Sequence, residues 1–123
     1  MTGPMPPLGP AGMIAGLREA GYTVEQRDGF VVFDYTVEVG THAGRSVRIA
    51  LEQVPDWPLS APHGPHVSPR LGHPHGAVHP SGLGDEWEHW SRPPADWASD
   101  RTVRGYLRHL RTLFAQFESG PAE

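Results

Sequence analysis

Residues 55–100 constrain this chain most. They hold nine of its 14 prolines, six of its eight histidines and all four of its tryptophans, and they show no sustained helical or strand period. A loop that long is uncommon inside a small domain unless it carries a function. It is also too rich in indole to be a solvated linker, because four tryptophans left in water would forfeit much apolar burial. We therefore expect an ordered, extended crossover that its tryptophans clamp to the rest of the fold.

The flanks are regular. Met13, Ile14, Leu17 and Ala20 recur at helical steps, and Pro10 and Gly21 suit the start and stop of a helix over 11–20. Gly12 and Gly16 weaken it by roughly 1 kcal/mol each. Segments 22–26, 30–39 and 46–54 read as strands, with turns at Asp28-Gly29 and 40–44. Val31, Phe33, Tyr35, Val37 and Val39 share one face of the second strand. In the third, Val47, Ile49 and Leu51 alternate with Arg48, Ala50 and Glu52. This predicts an antiparallel meander with one buried face, to which 66–68 can add a short fourth strand. Near the C-terminus Val103, Tyr106, Leu107, Leu110, Leu113, Phe114 and Phe117 form one apolar helical stripe. Ser99 or Asp100 is placed to cap that helix and Gly120-Pro121 to end it. Arg101, Arg104, Arg108 and Arg111 read as its solvated surface. The expected fold class is α+β, with helices packed on one face of an antiparallel sheet in two layers. Residues 1–10, with four prolines, read as a flexible leader, and 11–118 as a single domain.

Composition removes several kinds of chemistry. The chain has no cysteine, which excludes disulfides, thiolate-bound zinc, iron–sulfur clusters and thiol nucleophiles. All ten of its basic residues are arginine, so no lysine can act as a catalytic amine or isopeptide acceptor. Arginine at the expense of lysine points to a high-GC bacterial genome. A net charge of −4 without a basic run argues against nucleic acid. No apolar run reaches the roughly 18 residues of a membrane span, and residues 1–10 lack the features of a secretory signal. The expected setting is cytoplasmic.

The element order, with particular words in the crossover, resembles the ubiquitin-conjugating (E2, UBC-like) fold. In that fold a helix precedes a meander, and a proline-rich stretch of Pro-x-x-(Tyr/Phe)-Pro-x-x-x-Pro character follows the third strand. Pro55-Asp56-Trp57-Pro58-Leu59-Ser60-Ala61-Pro62 stands in that place, with Trp57 for the tyrosine. His73-Pro74-His75 stands where the fold carries His-Pro-Asn. The words Trp87-Glu88-His89-Trp90-Ser91-Arg92, then Trp97, then Tyr106-Leu107 are similar to those of the prokaryotic E2 family E. The resemblance covers residues 13–117. It implies an E2-like role in a bacterial ubiquitin-like modification system, with a ubiquitin-like or polyubiquitin-like protein and a ThiF/E1-like activating enzyme as partners, and no cofactor. The window in which the fold places its cysteine is here Gly82-Leu83-Gly84-Asp85. A thioester is therefore impossible, and a non-catalytic, partner-binding variant is the expectation.

Around that window, His73, Pro74, Asp85, Trp87, Trp90 and Arg92 are the candidate binding residues. Arg92 can pair with Asp85 or Glu86, or recognise a carboxylate. Asp85, Glu86 and Glu88 read as a solvated acidic loop. Two alternatives stay open. Ser81 could accept an acyl group as an oxyester, with His79 as base and His75 nearby. Alternatively, five imidazoles within residues 63–79 could hold a transition metal through His73, His75 and His79, although their spacing matches no established metal motif.

Overall fold

The computed structural model describes residues 8–117. Helix α1, Pro10–Glu19, begins on a proline whose missing N–H costs nothing in a first turn, and it buries Gly12, Met13, Ile14 and Leu17. A Cβ on Gly16 would lie 2.5 Å from the Val103 side chain. That glycine weakens the helix but lets α1 approach the C-terminal helix closely.

Strands β1 (Val24–Arg27) and β2 (Phe30–Thr36) form a hairpin. Its turn places Asp28 and Gly29 at φ 50° and 84°, the left-handed pair that an Asp-Gly turn provides. β3 (Ser46–Glu52) pairs along the whole of β2. The crossover then contributes three short strands: β4 (His66–Ser68), β5 (Val78–Pro80) and β6 (Glu88–Trp90). The result is one antiparallel six-stranded sheet in the order β1-β2-β3-β4-β6-β5. A single 3₁₀ turn at Trp97–Ser99 leads to helix α2, Val103–Ala115.

On one face of the sheet, Val31, Phe33, Tyr35, Val47, Ile49, Leu51 and Val67 pack against Met13 and Leu17 of α1 and Tyr106, Leu110, Leu113 and Phe114 of α2. The expected α+β class is observed. The expectation of a single buried face needs correction. Val32 and Ala50 are buried on the opposite face, where Leu83 and Trp87 of the crossover cover them. Alternation marks these two as outward-facing, and only the returning crossover removes them from water.

The cap of α2 also differs from expectation. Thr102, not Ser99 or Asp100, accepts the Gly105 N–H at 3.1 Å. Pro10 belongs to α1 rather than to a leader. The rest of the leader up to position 7, and the Gly120-Pro121 stop, lie outside the described residues. Among the described residues, no helix is long and apolar enough to cross a membrane.

The tryptophans clamp the crossover as expected. Trp57 packs on Trp97 at 5.1 Å, and the Trp97 indole N–H donates to the Pro58 carbonyl at 2.9 Å. Trp90 is fully buried against Phe114 and Phe117.

Candidate functional site

The His-Pro-His word is held from within. His73 Nε2 donates to the Leu113 carbonyl of α2 at 3.0 Å, and its Nδ1 accepts the His75 N–H at 3.1 Å. One nitrogen donates and the other accepts, so the ring is the neutral Nε2–H tautomer. Burial pushes its pKa down, partly offset by the Leu113 bond. Trp90 and Phe117 flank the ring at 4.9 and 5.0 Å. His73 is therefore a pin between crossover and helix, while Pro74 and His75 are exposed. Arg92 donates to the carbonyls of His75 and Gly76, the latter at 3.2 Å. Its guanidinium thus holds the turn after the word instead of pairing with Asp85 or Glu86.

Glu88 is buried, not part of a solvated acidic loop. Its Oε2 accepts the Leu71 N–H at 3.0 Å, the Gly72 N–H at 2.7 Å and the Trp90 indole N–H at 2.7 Å. Three N–H donors on one oxygen compensate its removal from water. The sequence signal was present: Glu88 and Trp90 are two apart, which on a strand puts them on one face.

His89, between them, faces the other way. The strand register aligns Ala50, His66, His89 and His79 across β3, β4, β6 and β5. His66 and His89 stack at 4.2 Å with 7° between their planes. His63 and His79 lie 6.5 and 6.2 Å from His89. Burial, then the neighbouring His89, pushes the His66 pKa down to about 4. Burial, then His63 and His79, lowers that of His89, with Glu52 opposing. Stacked rings direct their lone pairs side by side rather than towards one point. Among the described residues, no group of three or more histidine or carboxylate side chains is arranged to hold a metal ion. His73 and His75 lie together at 5.3 Å, whereas His79 belongs to the outer row.

Ser81 follows β5 and turns back over this row. Its Oγ lies 2.7 Å from His66 Nδ1 and accepts the Leu83 N–H at 3.1 Å. The imidazole that meets the hydroxyl is thus His66 of β4, not His79. Beside it opens a cavity of about 250 Å³ whose lining includes Arg70, His79, Ser81, Asp85, Trp87 and Glu88. Four of the residues singled out in the sequence, His79, Ser81, Asp85 and Trp87, are therefore brought to one place. His73, Pro74, His75, Trp90 and Arg92 are not among its lining. Arg70 and Glu88 of the lining, and His66, which meets Ser81 without lining the cavity, are not among the catalytic or binding candidates of the sequence. Chemically, the site offers a hydroxyl, a neutral imidazole and mixed charge at the rim, and no thiol. Comparison with protein-family models, with curated proteins and with solved structures returns no match to this chain.

Proposed function

We propose that the chain is a cysteine-free, E2-like (UBC-fold) component of a bacterial, cytoplasmic ubiquitin-like modification system. In this reading it holds a ubiquitin-like or polyubiquitin-like protein that a ThiF/E1-like enzyme has activated, and it forms no thioester itself. One observation carries the reading. The two segments that resemble the family, His73-Pro74-His75 and residues 87–92, are bound to each other and to α2 through His73, Glu88 and Arg92. In this reading the crossover acts as one unit, and the cavity beside Ser81 is lined in part by Gly84 and Asp85, from the window in which the resembled fold carries its cysteine. Asp85 and His79 are exposed at its rim, available to a partner's polar tail.

The test is calorimetric titration with a bacterial ubiquitin-like protein. Saturable binding that Asp85→Arg weakens about tenfold, a loss of about 1.4 kcal/mol, supports the reading. An absence of binding to the ubiquitin-like protein, both free and in the presence of its activating enzyme, contradicts it.

A further inference from the structure

The Ser81–His66 pair goes beyond partner holding and does not depend on it. A serine hydroxyl becomes a nucleophile when a base takes its proton, and the base must sit within hydrogen-bond reach with its orientation fixed. Here Oγ and Nδ1 are 2.7 Å apart. The ring is fixed by packing rather than by a carboxylate: His89 stacks on it at 4.2 Å, and Phe30 meets it edge-on at 4.6 Å. The Ser81 oxygen also accepts the Leu83 N–H, and with His66 in its Nε2–H tautomer the hydroxyl proton donates to Nδ1. Ser81 also opens on the cavity of about 250 Å³, whose lining includes the exposed Arg70. A second serine–histidine pair, Ser91 with His63 at 3.0 Å, has the distance but is not part of that cavity's lining.

We infer that Ser81 is an acyl-accepting nucleophile with His66 as its general base, taking the acyl group of an activated carboxyl donor such as a thioester or an aryl ester. In the step, a bond forms between Ser81 Oγ and the acyl carbon as the bond from that carbon to the leaving sulfur or oxygen breaks. The hydroxyl proton passes to His66 Nδ1 and then to the leaving thiolate or phenolate. The product is a serine oxyester, and no oxidant, reductant or metal is required.

The experiment uses the full chain and para-nitrophenyl acetate. Nitrophenolate release is followed, and the acetyl group is located by peptide mass spectrometry. The expected result is a burst of one nitrophenolate per chain, with the acetyl on Ser81. Ser81→Ala abolishes that adduct, and His66→Gln slows its formation on the order of 10²-fold. Ser91→Ala leaves it unchanged. Site mapping on the unaltered chain needs no variant, so the proposal remains testable if His66→Gln does not fold. Acetyl found only on imidazoles or on Ser91, no serine ester at all, or Ser81 labelling at an unchanged rate in folded His66→Gln, each overturns it.

Discussion

The carboxylate of Glu88 accepts the indole N–H of Trp90 at 2.7 Å, two residues along the same short strand. The same oxygen takes the amides of Leu71 and Gly72, so one buried side chain joins β6 to the segment that leads into the His-Pro-His word. Removing it by Glu88→Ala leaves three donors unpaired. We expect a loss of about 2–4 kcal/mol in urea unfolding, and a smaller loss for Glu88→Gln, whose amide oxygen still accepts. A change of a few tenths of a kcal/mol for Glu88→Ala would contradict this role.

The imidazole row predicts how stability depends on pH. His66 binds a proton at about 4 when folded, against an ordinary value of 6.5. A histidine with a depressed folded pKa contributes stability that is present above 6.5 and is lost as pH falls towards 4. The urea midpoint of the chain should therefore drop between pH 7 and pH 4 more steeply than that of His66→Gln. Parallel pH profiles for the two proteins would show that burial at His66 is not what sets the slope.

Two glycines of the crossover should behave oppositely. A Cβ on Gly64 would stand 1.9 Å from the Trp90 carbonyl oxygen and 2.7 Å from the Arg92 amide nitrogen. Both are backbone atoms that cannot yield, so Gly64→Ala should prevent β4 and β6 from seating and cost several kcal/mol, on the order of 3 or more. A Cβ on Gly82 meets nothing within 4 Å, and Gly82→Ala should change stability by about 0.5 kcal/mol or less. Thermal melts of both variants decide this, and similar melting temperatures would contradict the close approach at Gly64.

Trp87 should prove to be the cover of the second sheet face. Trp87→Ala uncovers Val32 and Ala50, which lie beneath it with Leu83, and should cost about 3 kcal/mol and increase binding of an apolar dye. Trp97→Ala, whose ring is only partly buried, should cost less. The reverse ranking in urea unfolding would argue that the crossover does not close over that face.

Periodicity made the ends of this fold legible and its middle opaque. The stripe from Val103 to Phe117 and the alternation from Phe30 to Leu51 are local patterns, and local patterns survive in sequence. β5 and β6 have three residues each, too few for a period, and they exist through pairing with distant partners. The same limit applies to the site. His79 stands two residues from Ser81 and is the base that sequence proximity suggests. The hydroxyl instead meets His66, fifteen residues back, because the register of β4, β6 and β5 carries the imidazoles across the sheet. Glu88 is hidden for a related reason: its two-residue spacing to Trp90 becomes a signal only once a strand is recognised there, and two of its three donors come from Leu71 and Gly72.

We propose that the crossover presents a partner-binding site at the cavity beside Ser81. The most direct measurement is a two-dimensional amide NMR titration of the isotope-labelled chain with a bacterial ubiquitin-like protein. The account predicts saturable shifts concentrated at His79, Ser81, Asp85 and Trp87, with the amides of Leu71 and Gly72 undisturbed on their Glu88 anchor. Shifts confined to α1 or to the β1 edge, or none at saturating partner, would contradict it.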